Sequence, residues 1–246
     1  MKLKKIKFTC IGAIHKDNVL YLKTKHFNNR TNPIKQTYSL GGVAYNISEK
    51  LAFLNSEPEL ISINYEKEVL NKIKKKKIKF KELNKKILSR SYTTIINSKG
   101  QMILGMADMD NYELNIPLTE LPNKKNHKII IDLNFATKII DRIIRKYSKN
   151  NKICIAGTSA HKIYKIKKLL SKIDILVLNK QECLNLTKKN NITNALTFLI
   201  KKNKNLTILI TNGKYSAISY YKNSIYFCKP PLVNVKNENK GGDVMS

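Results

Sequence analysis

From residue 128 onward the chain alternates short apolar runs with amphipathic stretches, and this alternation constrains the fold more than any other feature. The apolar runs at 128–134, 152–159, 174–179 and 206–213 read as strands. The segments between them, 136–148, 161–170, 180–187 and 191–202, read as helices. The strand runs are hydrophobic at consecutive rather than alternate positions, as expected of strands buried on both faces. This order implies an α/β fold: a central, mostly parallel sheet flanked by helices. Residues 215–221 and 224–230 close the series as a β pair.

The first half is less regular. Residues 5–14 form an apolar run ended by a glycine turn. The basic start before it resembles a short leader, but the apolar stretch is interrupted and no small-residue cleavage site follows. It reads as a first buried strand. Residues 19–24 alternate like an exposed hairpin strand, 27–36 form a polar loop, and 37–40 a returning strand. The segment 41–55 opens with two glycines and continues as a helix with Val43, Ile47, Leu51 and Leu54 on one face. A strand at 59–64 precedes a lysine-rich helix whose run at 74–77 is a solvated end, and a short strand follows. Residues 91–110 read as a hairpin around Ser98, Lys99 and Gly100.

Composition narrows the function classes. No apolar run reaches the roughly 20 residues that cross a bilayer, so no membrane partner is expected. Cys10, Cys154, Cys183 and Cys228 lie far apart, with no Cys-x-x-Cys pair and no nearby histidine cluster, which argues against zinc. Free cysteines in apolar runs fit a reducing cytoplasm. The formal net charge of +30 would suit a polyanion. Arginine is nearly absent, however, and the lysines are spread along the chain with abundant Asn and Ile. That pattern fits a compositional bias, and no specific nucleic-acid partner is expected.

Four short motifs fall at strand ends or helix starts. Gly41 and Gly42, followed by Asn46, are either a ligand-approaching helix start or an ordinary turn-to-helix junction. Asn179 and Glu182 follow a strand; the carboxylate either holds Mg²⁺ through water or caps the next helix. Thr211 and Gly213 suit a nucleotide phosphate or ribose, or form a plain turn. Gly241 and Gly242 offer successive amides for an anion, and Asp243 beside them a base for a hydroxyl; the alternative is a flexible tail.

The order of these motifs resembles that of ribokinase-like (PfkB) carbohydrate and nucleoside kinases, across essentially the whole chain. Within that family, segments 31–55 and 91–114 and the strand end at 129–136 are similar to the pseudouridine kinase branch. The Ala107-Asp108-Met109-Asp110 string is the most specific cue. The resemblance implies one ribokinase-like domain over 1–246 with a small β lid from strands within about 18–40 and 91–107. It implies ATP and Mg²⁺ as cofactors, with a monovalent cation as an optional third ion. It implies a small-molecule nucleoside or sugar substrate and a homodimer through the lid. Asp17, Gly41, Gly42, Asn46, Asp108 and Asn134 would then bind the acceptor. Asn179, Glu182, Thr211 and Gly213 would bind the nucleotide, with Glu182 reaching Mg²⁺ through water. Gly241 and Gly242 would form the anion hole, and Asp243 would be the catalytic base.

The chain departs from the family pattern in three places. Lys240 stands where the first glycine of a Gly-x-Gly-Asp motif is usual, and 63–70 lacks the glycines of a Gly-Asp-x-x-Gly segment. The sequence ends at Ser246, so the resemblance implies a domain without the usual C-terminal helices. Three readings of function stay open. They are phosphorylation of pseudouridine at its 5′-hydroxyl, phosphorylation of another sugar or nucleoside, and a catalytically silent remnant.

Overall fold

The computed structural model describes residues 6–63, 66–84, 91–114 and 121–231. Gly241, Gly242 and Asp243 lie outside them, as does Lys240. Among the described residues, two sheets form. The larger joins β1 (Lys7–Ile11), β4 (Glu59–Ser62), β5 (Lys79–Glu82), β8 (His127–Ile131), β9 (Lys152–Ala156), β10 (Ile175–Asn179), β11 (Thr207–Asn212), β12 (Tyr215–Tyr221) and β13 (Ser224–Cys228). Their spatial order is β13-β12-β11-β10-β9-β8-β1-β4-β5. Pairing is parallel from β11 to β5, and β12 and β13 add an antiparallel edge.

Helices cover both faces, for the reason that the consecutive apolar residues suggest. In β1, Cys10 and Ile11 point to opposite faces. Cys10 registers with Leu60 and Ile130 and joins a cluster under α1 (Val43–Phe53) and α2 (Lys67–Lys75). Ile11 registers with Ile61 and Ile131 and joins the larger cluster. That cluster holds α3 (Thr137–Tyr147), α4 (Lys180–Thr187) and α5 (Ile192–Lys202). Helix α3 buries Ile139, Ile140, Ile143, Ile144 and Tyr147, one face of a 3.6-residue period. Each buried Ile contributes about 2 kcal/mol of apolar transfer.

The smaller sheet has the order β3-β2-β6-β7, built from β2 (His15–Leu22), β3 (Ile34–Gly41), β6 (Ser91–Ile96) and β7 (Met102–Asp108). It stands over the carboxyl end of the larger sheet. Strand β2 begins four residues before the expected Val19, so His15 and Asp17 are strand residues. Strand β3 takes in Ile34 to Gln36, which read as loop from their polarity, because eight register pairs with β2 hold them.

Two local expectations change. Residues 161–170 are not an α-helix: they form 3-10 turns at Ile163–Ile166 and Leu170–Lys172. The buried Ile163, Ile166 and Leu169 recur every three residues, which suits three residues per turn. In α1 the buried residues are Ala44, Tyr45, Asn46, Ile47 and Ser48, while Leu54 is 69% exposed. The first turns of α1 are buried between the sheets and border the cleft, and the last turn emerges into solvent.

Candidate functional site

The chain runs outward from β1 to β4 and β5, then returns to β8 on the other side of β1. The strand order therefore reverses between β1 and β8, the place where open α/β sheets leave a crevice at their carboxyl ends. A cleft of about 530 Å³ opens there, roofed by the smaller sheet. Asn134 after β8, Gly157 and Thr158 after β9, and Asn179 and Thr211 at the ends of β10 and β11 form its floor.

Asp17, Gly41, Gly42 and Asn46, read from the sequence as acceptor-binding, lie together at one end. Strand β2 supplies His15 and Asp17, whose side chains meet at 2.8 Å, Nδ1 to Oδ1. The His15 ring lies 6.3 Å from the Tyr92 ring. Gly41, opposite His15 in β3, packs so closely on Asp17 that a Cβ there would fall 2.1 Å from the carboxylate. Gly42 starts α1 with φ 106, and a Cβ on it would lie 2.2 Å from the Ala13 carbonyl oxygen. Gly42 and Asn46 line the cleft.

The β8 end is held tightly. The Leu133 amide donates to Thr158 Oγ1 at 2.9 Å, and the Asn134 amide to Asp132 Oδ1 at 2.9 Å. The Lys162 ammonium donates to Asn134 Oδ1 at 2.7 Å. The buried Lys165 ammonium donates to the Leu133 and Phe135 carbonyls and to Glu113. Burial pushes the Lys162 ammonium below the ordinary lysine range, opposed in part by the Asp132 carboxylate. Lys162 thus brings charge and hydrogen-bond donors to a half-buried wall of the cleft.

At the other end stand Asn179, Glu182 and Thr211. Asn179 and Glu182 form a capping box at the start of α4: the Glu182 amide donates to Asn179 Oδ1 at 2.9 Å, and the Asn179 amide to Glu182 Oε2 at 2.8 Å. The carboxylate is 3% exposed and lies against Gly157, where a Cβ would come within 2.2 Å. Of the two alternatives read from the sequence the cap is observed, and the same side chain lines the cleft. Among the described residues no cluster of three or more His, Cys, Asp or Glu forms. These residues therefore offer Mg²⁺ a single carboxylate, which suits a largely hydrated ion.

Two residues read as binding groups lie apart from the cleft. Asp108 follows Ala107 in β7; since Ala107 lines the cleft, the strand alternation turns Asp108 to the outer face. Gly213 makes the turn after β11 with φ 56 and no neighbour within 4 Å of an added Cβ. Tyr112, two residues beyond the Ala107–Asp110 string, is fully buried and donates to the Ile14 carbonyl at 2.5 Å. This segment therefore contributes by bracing the β1 loop. His15, Tyr92, Thr158 and Lys162 also line the cleft and were not among the residues expected from the sequence. Thr158 carried the same strand-end signal as Thr211, whereas Lys162 was hidden among neighbouring lysines.

A family model described as pfkB family carbohydrate kinase matches residues 5–246. No curated protein matches the chain. A carbohydrate kinase from Agrobacterium tumefaciens superposes with a TM-score of 0.77 at 22% identity, over 93% of this chain and 77% of that one. Phosphofructokinase-2 from Escherichia coli, solved with substrates and products, gives 0.78 at 12% identity, over 98% and 84%. Ribokinase from Cryptococcus neoformans var. grubii serotype A, solved with ADP, gives 0.74 at 14% identity, over 98% and 85%. At these identities the structural likeness establishes the fold. Among the described residues no helix is long and apolar enough to cross a membrane.

Proposed function

Because the chain belongs to the pfkB family of carbohydrate kinases, we propose that it transfers the γ-phosphoryl group of ATP to the 5′-hydroxyl of a nucleoside, pseudouridine. The observation that carries this reading is the Lys162–Asn134 pair in the cleft wall. The bond uses the Asn134 carbonyl, so this wall presents the remaining ammonium protons and the amide NH₂ to a ligand. A uracil ring has two carbonyls to meet them. A simple sugar meets them with hydroxyl and ring oxygens instead, which rotate freely and fix the two donors less than ring carbonyls do.

In this reading Asp17, Gly41, Gly42 and Asn46 hold the ribose. Asp17 accepts from its hydroxyls, held in place by His15. Thr211 borders the nucleotide, and Asn179 and Glu182 orient its phosphates. Mg²⁺, bound through water at Glu182, would offset charge on those phosphates. Asp243 takes the proton from the 5′-hydroxyl as its oxygen bonds to the γ-phosphorus. The bond from that phosphorus to the bridging oxygen breaks, and ADP leaves. Gly241 and Gly242 donate amides to the transferring group. Little covalent chemistry is asked of the protein beyond alignment and charge.

The test is ATP-dependent product formation across pseudouridine, uridine, ribose and fructose 6-phosphate. Pseudouridine should have the highest kcat/KM. Lys162→Met should lower that value about 100-fold, the size of a lost charged hydrogen bond, while changing any turnover of ribose far less. Turnover of ribose or fructose 6-phosphate without pseudouridine would favour the sugar-kinase reading, which the names of the solved neighbours support.

The small sheet is proposed to act as a lid and as the contact of a homodimer. Its face turned from the cleft carries Ile34, Tyr38, Leu104 and Met106, all exposed. A solvated sheet face is normally polar, and a contiguous apolar one marks an interaction surface. A dimer mass is expected in sedimentation equilibrium, converted to a monomer by Leu104→Glu. A wild-type monomer at all concentrations would remove this proposal.

A further inference from the structure

Asp132 is fully buried at the end of β8, where the strand order reverses. Its Oδ2 accepts the Ala13 amide at 2.8 Å and the Ala44 amide at 3.1 Å, and its Oδ1 accepts the Asn134 amide at 2.9 Å. These donors come from the loop after β1, the first turn of α1 and the loop after β8. The Gly12 backbone closes the fourth side, since a Cβ on it would lie 2.2 Å from the carboxyl carbon. Asn134 then links the carboxylate to Lys162, giving its amide to Asp132 and its carbonyl oxygen to the ammonium.

Converging backbone donors need an acceptor at every position. An asparagine would turn an NH₂ group towards at least one of them and leave a buried donor unmet. The Ala44 amide also belongs to the start of α1, where a negative charge complements the helix dipole. A carboxylate therefore suits this point better than its uncharged isostere.

We propose that Asp132 is a positioning residue: it sets the α1 start and Asn134 against the β1 loop, and its charge is the counter-charge of Lys162. The proposal deepens the kinase reading and rests on it for its kinetic part. Asp132 contacts no substrate itself. Lys162 is also faced by Glu113, which opposes the effect of burial, and by Lys165, which adds to it. His15, Asp17 and Glu182 line the same cleft.

The test pairs two variants with two readouts. In ligand-free protein, the pH at which Lys162 becomes reactive to acetic anhydride is followed by mass spectrometry. Asp132→Asn should move that reactivity to lower pH by about one unit, because removing the nearby anion favours the neutral amine. Asp132→Glu keeps the charge and should leave the labelling curve in place. Its longer side chain cannot meet the same three amides, so the acceptor KM should rise about tenfold with the KM for ATP unchanged. An unmoved labelling curve in Asp132→Asn would overturn the counter-charge role. A rise of both KM values together in Asp132→Glu would overturn the positioning role. If Asp132→Asn does not fold, an unchanged acceptor KM in Asp132→Glu overturns the proposal alone. If the wild-type protein turns over no acceptor, the kinase reading fails, and the labelling comparison still decides the Asp132–Lys162 pairing.

Discussion

Asp243→Asn is expected to lower kcat about 1,000-fold while leaving the KM for ATP and for the acceptor within about threefold. In the proposed division of labour, ground-state binding is assigned to residues at the two ends of the cleft and Asp243 is assigned only the role of base. In that role the carboxylate would act as the acceptor hydroxyl loses its proton, a change that develops in the transition state. An interaction made only there lowers kcat and kcat/KM together when it is removed. Asparagine preserves the shape and removes the basicity. Steady-state kinetics over both substrates check the prediction. A variant that retains wild-type kcat would show that the base lies elsewhere, and one whose loss lies in KM would make Asp243 a binding residue.

Gly42→Ala should cost about 3 kcal/mol of stability, seen as a lower urea midpoint, together with loss of most acceptor turnover. Two separate effects act at this residue. Its φ of 106 lies in a region that L side chains rarely adopt. The added methyl would also meet backbone, the Ala13 carbonyl oxygen at 2.2 Å. Ala13 has little freedom to withdraw: its amide is bonded to Asp132 and its carbonyl accepts the Tyr45 amide at 3.3 Å. Gly100→Ala is the control. Its φ is 82, but an added Cβ there has no neighbour within 4 Å, so only the conformational cost of about 1 kcal/mol applies. Equal costs at the two positions would show that the contact with Ala13 carries no energy.

Much of the larger sheet was legible before any coordinates. The runs at 128–134, 152–159, 174–179 and 206–213 are strands β8 to β11, and the helix periods at 136–148, 180–187 and 191–202 are α3, α4 and α5. These segments are buried on both faces or along one stripe, so each residue's environment is set by its near neighbours in sequence. The Asn179–Glu182 capping box was readable for the same reason, because both bonds span three residues. Residues 161–170 misled because an apolar period of three or four fits either helix type. The choice fell to tertiary contacts, with Lys165 drawn to the carbonyls of Leu133 and Phe135.

The candidate site was legible only in part. Gly42, Asn46, Asn134, Asn179, Glu182 and Thr211 all line one cleft; Asn134 had been named by the family resemblance, and the others by their places at a strand end or helix start. Lys162 and His15 had no such mark. Lysine is abundant throughout this chain, so type alone could not separate a cleft lysine from a solvated one. Asp108 stood in the most specific string, yet the two-residue alternation of β7 sends its side chain away from the cleft.

What the sequence determined by itself was the class of fold, the identity of most strands and helices, and the positions at their ends suited to meet a ligand. These follow from local periodicity and from backbone freedom at glycine. What only the tertiary structure decided was which of those ends meet. Ala13 and Asp132 are 119 positions apart and become hydrogen-bond partners because the sheet order places β8 beside β1. Strand order arises from burying all segments together, and no segment's own pattern carries it.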